Sequence, residues 1–466
     1  MPSQIASLVF AVGIAALFVL ERQDQHRTSL ALWIPTVYFF ILASRPVSAW
    51  FGAGLASAQD IQDGSPMDAA VYALLYVLAS LVLFQRSARV TQLLWRSWPV
   101  LVFLLYCLIT LTWSDYPVVA LKRWVKLIGD LMMVFVVLSD PHPVAALKKF
   151  LARPAFVLLP LSVLFIKYYP QLGRGWDAWS GAQYFNGISY NKNGLGAICL
   201  YWGLACVWLL ASALTDWPRK RRPALVAAIV LLTSLWLLSK SSSATSLSCF
   251  LMGTTVIVMA RLRTISRMPA IMHCVVFAMI GVSFGALFLD RSALGLLQRD
   301  PTLTGRTELW DAIFRIPINP VIGAGYESFW TGWRIEALWK IFWWRPTQAH
   351  NGFIEIFINL GAVGLFLFAM MLLIAYARAI KAVRRREVWG GLLLAYAIIV
   401  IPYNFTEAAI RVQNLPWLFL LFALIGIPAP RPRRQVVTAA GRSAPLNTDE
   451  EWWGSDLRES VGERVR

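Results

Sequence analysis

Charged residues, cysteine and histidine are all scarce in this chain of 466 residues. Only 15% of the residues are charged, whereas 58% are hydrophobic, and the mean hydropathy is +0.59. A soluble domain of this size has no core large enough for so much apolar sequence. The composition therefore excludes a soluble globular protein and predicts an all-α polytopic membrane protein, in which the 22 tryptophans suit the membrane–water interfaces.

The few cysteines and histidines also bear on cofactors. All five cysteines lie within apolar runs, which predicts buried thiols rather than disulfides. No Cys/His cluster has the spacing of a metal site, and the loops predicted to face outward hold no Asp/Glu-rich set suited to a divalent cation. The N-terminal apolar run has no basic n-region, so no cleavable signal peptide of the usual pattern is expected. We therefore predict neither a cofactor nor a metal.

Acidic residues are outnumbered by basic ones, 25 against 43, so the net charge is +18. In a soluble protein this excess would suggest nucleic acid, but here the basic residues interrupt hydrophobic spans, which indicates membrane topology and no nucleic-acid partner. Apolar windows predict about 12–13 transmembrane helices. The candidate spans lie near residues 3–20, 29–44, 68–84, 98–113, 121–138, 154–170, 193–213, 224–239, 244–260, 270–289, 353–376, 389–404 and 415–429.

The loops between these spans alternate in charge. One set is rich in Lys and Arg, as at 219–222 and 384–386, whereas the short loops of the other set hold few. The positive-inside bias places the basic set and the C-terminus in the cytoplasm. Residues 1–429 then form the transmembrane domain. The tail 430–466 is Pro- and Arg-rich and then polar and acidic, which predicts a disordered cytoplasmic segment.

Two segments that face outward in this topology, 171–192 and 290–352, are too long to be simple connections. In the second, TGRTELWDAIFRI (304–316) predicts a short helix that stops before two prolines. GYESFWTGWRIEALWKIFWW (325–344) is aromatic, basic and amphipathic, which is typical of a helix in the headgroup layer. Its cations Arg334, Lys340 and Arg345 are then headgroup anchors, and the 290–352 loop is a helical cap over the bundle.

AHNGFIEIFINLGAVGLF (349–366) carries a polar stripe on a predicted span. Asn351, Glu355 and Asn359 recur at i, i+4 and i+8, and His350 stands just before them. Polar groups at membrane depth face the bundle interior or a water-filled cavity. A lone histidine is more often a bystander than a catalyst. The stripe and the basic surroundings nevertheless make His350 a candidate.

Candidate cations accompany this histidine. Arg306 stands in the first turn of a predicted helix, where backbone N–H groups also favour an anion, and Arg291 lies in the same loop. Snorkelling could explain Lys122, Arg123 and Lys126 in the span that also holds Asp130, but three cations in five residues exceed what anchoring needs. Several cations with one imidazole suit a lipid-linked diphosphate, whose tail lies between helices.

Two further elements complete the predicted site. In NGISYNKNGLGA (186–197), Lys192 and Asn193 open a span after the first long loop. In PYNFTEAAIRVQN (402–414), Glu407 and Arg411 are spaced as an i, i+4 ion pair. Both elements are predicted to lie at the outer surface.

The elements TGRTELW, PVIGAGYESFW and AHNGFIEIFINLGAVGLF resemble, in this order, the signature region of the O-antigen ligase and Wzy-type polysaccharide polymerase superfamily. GISYNKNGLG, NFTEAAI and WSDYP resemble flanking elements of its exopolysaccharide polymerase members. The similarity spans roughly residues 30–425. It implies a GT-C-like glycosyltransferase of the bacterial inner membrane, with its active site on the periplasmic side.

The resemblance also implies substrates and roles. The donor is a glycan on undecaprenyl diphosphate, the acceptor is a second glycan, and a flippase and a chain-length regulator are expected partners. His350 matches the functional histidine of the family and Arg306 the arginine of its loop motif. A basic residue from the first long loop is also expected, and Arg174 and Lys192 both remain open.

We expect Arg306, with Arg174 or Lys192, to bind the diphosphate and stabilise its charge as it leaves the anomeric carbon. Three further cations are candidates for the same role, namely Arg123, Lys126 and Arg291. His350 orients or deprotonates the acceptor hydroxyl, while Asn351 and Glu355 hold it in place. The reaction is expected to be inverting and metal-independent.

Other functions fit parts of the sequence. An O-antigen ligase would use the same chemistry on a lipid or protein acceptor, although the flanking elements favour a polymerase. A flippase or transporter for lipid-linked oligosaccharides predicts charges near mid-bilayer and repeated halves, and no convincing repeat is present. A purely structural membrane protein gives no reason for His350 together with Arg306.

Overall fold

The computed structural model describes residues 1–21, 28–52, 65–177, 181–288 and 302–428, and most of them are helical. The bounds are α1 Ser3–Glu21, α2 Trp33–Ala43, α3 Val47–Trp50, α4 Pro66–Gln85, α5 Ser87–Arg96, α6 Trp98–Ile109, α7 Pro117–Leu138, α8 Pro143–Tyr168, α9 Pro170–Gly173, β1 Arg174–Trp176, β2 Gln183–Phe185, α10 Lys192–Thr215, α11 Arg221–Ser241, α12 Ala244–Arg261, α13 Arg263–Arg267, α14 Pro269–Phe288, α15 Thr302–Arg315, α16 Trp333–Ile341, α17 Gly352–Arg384, α18 Gly390–Thr406 and α19 Leu415–Ile425. Short 3₁₀ turns precede α2 and follow α6. The tail predicted to be disordered lies outside the described residues.

Each of the predicted spans coincides with a helix. Within the described residues, α1, α4, α8, α10, α11, α12 and α17 are long and apolar enough to cross a membrane. The pair Ser87–Arg96 and Trp98–Thr112, bent by 80°, forms one more span if it is counted as one. Shorter apolar helices occupy Leu30–Ala43, Ala270–Val282, Gly390–Thr406 and Leu415–Ile425, and α7 carries four charged residues. The structure confirms an all-α polytopic membrane protein.

Helix α19 lies at the centre of the bundle. Every residue from Leu415 to Ile425 is buried, which is expected of a helix that is apolar on all sides. Phe419 stacks on Tyr201 of α10 at 4.6 Å between ring centroids and contacts Tyr396 of α18 at 4.8 Å. This aromatic packing joins α10, α18 and α19, whose ends carry parts of the site described below.

Helix α17 is one run in the sequence but two helices in the structure. Gly361 has φ +65° and ψ −162°, so helical geometry is interrupted between residues 352–360 and 362–384. The 319–325 segment fills the break, because Ala324 N donates to Ile358 O and Ala362 N donates to Pro320 O, both at 2.9 Å. A β-carbon on Gly361 would lie 2.3 Å from the carbonyl carbon of Val321, so the close approach requires glycine.

The segment 352–360 packs with the 290–352 loop instead of lipid. Together with α15 and α16 it builds a second apolar core, separate from that of the bundle, which contains Leu309, Ile313, Phe329, Trp330, Ile335, Leu338 and Ile358. The described part of the loop is therefore a folded cap.

The sequence overestimated one helix of this cap. The helix predicted over 325–344 extends only over α16, and residues 325–332 form turns. Arg334 is not a headgroup anchor, because it is 7% exposed and its Nη1 lies 2.6 Å from Oδ2 of Asp115. Packing of Trp330 and Phe329 into the apolar core of the cap prevents a continuous surface helix.

Candidate active site

Helix α15 presents two functional side chains one turn apart. Arg306 and Trp310 are i and i+4, and they share one helix face. Nη1 of Arg306 donates to the carbonyl of Thr406 at 2.7 Å, and its Nη2 lies 3.6 Å from Oε1 of Glu407. Nε1 of Trp310 donates to the carbonyl of Ala349 at 2.8 Å. One helix thus contacts both the end of α18 and the residue before His350.

His350 is held in an unusual backbone conformation. Its φ is +52°, in the left-handed region that costs a non-glycine residue roughly 1–2 kcal/mol. The preceding residue, Ala349, is held at both backbone groups. Its carbonyl accepts from Trp310, and the N–H of Ala349 donates to Oε1 of Glu355. Nδ1 of His350 lies 3.7 Å from Oε2 of Glu407, and the imidazole remains 25% exposed. The surrounding contacts compensate this strain and aim the ring at Glu407.

The polar stripe of α17 builds this geometry. Oδ1 of Asn351 accepts hydrogen bonds from the N–H groups of Phe353 and Ile354, at 2.9 and 3.1 Å, and so caps the helix. Oε2 of Glu355 accepts from Nε1 of Trp330 at 2.8 Å. Asn359 accepts from the N–H of Phe329 at 3.1 Å. All three stripe residues are buried and face the cap, not lipid.

Glu407 was predicted to lie at the outer surface as the partner of Arg411, but the sequence did not predict its contacts with Arg306 and His350. Its Oε1 accepts a hydrogen bond from Nδ2 of Asn193 at 2.8 Å, so its carboxylate touches Asn193, Arg306 and His350. We call these four residues the His350 cluster. They come from α10, α15, the segment before α17 and the end of α18. No spacing in the sequence connects these four residues.

The predicted ion pair between Glu407 and Arg411 is wrong. Helix α18 ends at Thr406, and the backbone of 407–414 is not helical, so the i, i+4 spacing does not bring these side chains together. Nη2 of Arg411 instead lies 3.4 Å from Oε2 of Glu327. Glu407 is thereby left to the His350 cluster.

Close packing places the start of α17 against α18. A β-carbon on Gly352 would lie 1.7 Å from Oδ1 of Asn404, a residue that is completely buried. Oδ1 of Asn404 also accepts from the N–H of Ala409 at 3.1 Å and fixes the turn after Glu407. Only glycine at position 352 therefore allows His350 and Glu407 to approach each other.

The two candidates from the first long loop have different surroundings. Nε of Arg174, in β1, donates to the carbonyl of Ile166 at 3.0 Å, and its guanidinium lies over Phe185 at 5.6 Å from the ring centroid. Lys192 is the first residue of α10, and its Nζ lies 3.4 Å from Oδ2 of Asp177. The next residue, Asn193, belongs to the His350 cluster, so Lys192 lies next to the site in the sequence.

The other predicted cations do not join this cluster. Arg123 is buried and donates to the carbonyl of Glu327. Lys126 lies one turn further along α7, where it faces Asp130, which accepts from the hydroxyl of Tyr38 at 2.6 Å. Arg291 lies outside the described residues.

Arg123 contributes instead to a second group of charges. Glu327, Glu355 and Arg411 line a cavity of about 20 Å³, and with Arg123 we call them the Glu327 cluster. Burial lowers the pKa of the Arg411 guanidinium, but the neighbouring Glu327 and Glu355 carboxylates raise it by more, so its pKa lies above the usual range. This cluster contains two arginines and two carboxylates, and its charge is balanced.

The His350 cluster contains one carboxylate, whereas the Glu327 cluster contains two. Among its members, one carboxylate serves both a guanidinium and an imidazole, so an added anion would not face excess negative charge. Nδ1 of His350 lies 3.4 Å from Nε2 of Gln348 and 3.7 Å from Oε2 of Glu407, so Nε2 of His350 is the nitrogen available to a hydroxyl group. No group of three or more His, Cys, Asp or Glu within the described part of the chain could hold a metal ion.

Comparison with known proteins agrees with this arrangement. The family model described as O-antigen ligase, Wzy_C, matches residues 226–369. The exopolysaccharide production protein ExoQ of Rhizobium meliloti (strain 1021) is 27% identical over 347 residues, which cover 71% of this chain and 77% of that protein. The chain is therefore similar to the O-antigen ligase/Wzy-type family.

The region that matches the O-antigen ligase model contains Arg306 and His350, but it includes neither Asn193 nor Glu407. Those two residues are connected to the family region only by the fold, through the contacts described above.

Proposed function

We propose that residues 1–429 form a membrane glycosyltransferase that polymerises a glycan from an undecaprenyl-diphosphate-linked donor during synthesis of a surface polysaccharide. The observation that carries this proposal is the His350 cluster, in which Arg306 and His350 share the carboxylate of Glu407. A guanidinium suits a diphosphate and an imidazole suits a hydroxyl, so the two substrates of glycosyl transfer each have a partner.

In this proposal, Arg306 binds the diphosphate and stabilises the negative charge that grows as the bond to the anomeric carbon breaks. Its Nη1 is held by the carbonyl of Thr406, which fixes the guanidinium in advance. Lys192 at the start of α10 contributes a second positive charge. Because side-chain cations neutralise the leaving diphosphate, the reaction is proposed not to need a metal.

His350 then acts on the acceptor. Its Nε2 accepts the proton of the attacking hydroxyl, or orients that hydroxyl, while Glu407 at Nδ1 stabilises the positive charge on the ring. The distance of 3.7 Å is longer than a hydrogen bond, as is common before substrate is bound. Attack from the face opposite the diphosphate inverts the anomeric centre.

We propose the bacterial inner membrane as the location, with the site on the periplasmic side and the C-terminus in the cytoplasm. The support is the excess of Lys and Arg in one set of loops and in the tail. A flippase that delivers the donor and a regulator of chain length are the proposed partners.

A polymerase is favoured over a ligase by one observation. The similarity to a protein of exopolysaccharide production covers about three-quarters of both chains. An O-antigen ligase, with a lipid or protein acceptor, remains the second candidate because the matching family model carries that description.

The test uses purified protein and a lipid-diphosphate-linked oligosaccharide, with and without EDTA. We expect wild type to form longer lipid-linked glycans, and His350→Ala to lose about 10²–10⁴-fold in turnover. Arg306→Ala should lose about 10²–10³-fold. His142→Ala, an exposed histidine before α8, is the matched control and should keep wild-type turnover.

Each other outcome has a distinct meaning. Transfer only to an added lipid acceptor would identify a ligase. Full turnover in both folded variants would refute the role of the His350 cluster. If wild type consumes no donor but moves it across vesicle membranes, the protein is a flippase.

A further inference from the structure

A second cavity lies on the cap, away from the His350 cluster. It is an open cavity of about 390 Å³, lined by Trp113, Arg334 and the 317–324 segment. That segment binds the C-terminal end of the 352–360 helix, through Ala324 N and Ile358 O. His350 precedes the other end of the same helix, so at 1.5 Å per residue the cavity lies roughly 12 Å further along it.

Two buried hydrogen-bond donors at this cavity have no acceptor among the described residues. They are Nε of Arg334 and the indole Nε1 of Trp113. Arg334 is 7% exposed and lies against Trp333 at 4.8 Å from the ring centroid. A buried donor without an acceptor is destabilising, so these two groups keep hydrogen-bonding capacity that an oxygen atom of a ligand would satisfy.

The charge of the cavity selects among such ligands. Nη1 of Arg334 lies 2.6 Å from Oδ2 of Asp115, so the guanidinium charge is already compensated. A phosphate would therefore bind less favourably at Arg334 than at Arg306. Oδ1 of Asn319 accepts from Val321 N and Ile322 N and fixes the turn that lines the cavity. Ile318, Ile322 and Ala324 add apolar surface.

An indole N–H and a guanidinium N–H whose charge is paired, beside an indole ring and aliphatic walls, suit a sugar ring, which offers hydroxyl oxygens and apolar C–H faces. We propose that this cavity binds one neutral sugar residue of the glycan, several ångströms from the bond that is formed at His350. This inference rests on the proposed function, because the glycan chain extends from that site. The cavity is then a specificity subsite that recognises a sugar of the repeat unit other than the reacting sugar.

The test compares two conservative substitutions with matched controls. Arg334→Lys keeps a positive charge for Asp115 but removes Nε, and Trp113→Phe removes the indole N–H. Arg345→Lys and Trp343→Phe make the same changes at exposed positions of the same loop. The probes are the lipid-linked donor, the oligosaccharide released from it, and undecaprenyl diphosphate without sugar.

We expect Arg334→Lys and Trp113→Phe to raise KM for the glycan, and Ki for the released oligosaccharide, by about 10-fold, the loss of one strong hydrogen bond. The kcat and the Ki for undecaprenyl diphosphate should stay within about twofold of wild type. The controls should match wild type throughout.

Unchanged KM and Ki in both variants would overturn the inference. An equal rise in Ki for undecaprenyl diphosphate would also overturn it, because the cavity would then serve the diphosphate. If Arg334→Lys fails to fold, Trp113→Phe decides alone. If wild type catalyses no transfer, the proposed function fails, and calorimetric binding of the released oligosaccharide to wild type and Trp113→Phe still decides this inference.

Discussion

The His350 cluster and the Glu327 cluster contain similar residues but differ in balance and access. In the first, Arg306 and His350 share the single carboxylate of Glu407, and their side chains are 21% and 25% exposed. In the second, Arg411 pairs with Glu327 and is 22% exposed, Arg123 binds the backbone carbonyl of Glu327, and the Glu327 and Glu355 side chains are buried. A partly exposed cluster in which a cation and an imidazole share one carboxylate can bind substrate. A cluster with equal numbers of arginines and buried carboxylates instead stabilises the fold.

Glu355 connects the two clusters. One carboxylate oxygen accepts from the N–H of Ala349, and the side chain also lines the cavity beside Arg411. The balanced cluster therefore supports the backbone that carries His350. The comparison predicts that changes in the first cluster reduce turnover and changes in the second reduce stability.

The largest effect is expected for Glu407→Gln. Loss of the carboxylate removes the group that orients His350 and Arg306, so turnover should fall about 10²-fold while the protein remains folded. Turnover with the lipid-linked donor measures this, and Glu336→Gln, at an exposed glutamate of α16 in the cap, is the control. Wild-type turnover in Glu407→Gln would show that the carboxylate has no role in positioning.

Arg411→Met should instead destabilise the protein by about 2 kcal/mol, because Glu327 and Glu355 lose their cationic neighbour. Thermal unfolding in detergent measures the effect, and turnover of the folded fraction should change only a few-fold. The double variant Glu327→Gln with Arg411→Met should recover part of the stability. A large loss of turnover without a lower unfolding temperature would contradict the structural role.

A smaller effect, about 1–2 kcal/mol, is expected for Gly352→Ala, because the added methyl group collides with Asn404. The start of α17 must shift, so turnover should fall as well. Gly281→Ala is the control, since nothing lies within 4 Å of a β-carbon at that position of α14. If both variants unfold at the same temperature, the contact between α17 and α18 is less tight than described.

The smallest effect separates the two cations of the first long loop. Lys192→Met should raise KM for the donor about 10-fold, because Lys192 is next to Asn193 at the cluster. Arg174→Met should leave KM near the wild-type value, since Arg174 binds the carbonyl of Ile166. Steady-state kinetics at several donor concentrations measure both, and the reverse order would make Arg174 the diphosphate ligand.

Local sequence predicted a helix of the cap but not the side-chain contacts between distant parts of the chain. TGRTELW predicted the helix that carries Arg306, because helical spacing is local. The predicted start of this helix was wrong: the helix already includes Thr302, so Arg306 lies beyond its first turn. The same rule failed for Glu407 and Arg411, because the helix ends at Thr406, before both residues. It also failed for Arg334, whose surroundings depend on Asp115, more than 200 residues away in the chain.

The sequence by itself determined the membrane class and the positions of the spans, and it identified His350 and Arg306 as candidate site residues. Hydropathy and helical periodicity depend on neighbouring residues, so they can be read without a fold. Only the tertiary structure decided that α17 breaks at Gly361, that the polar stripe faces the cap, and that Glu407 joins Asn193, Arg306 and His350. These contacts join residues from distant parts of the chain, and packing of α10, α15, α17 and α18 alone brings them within reach.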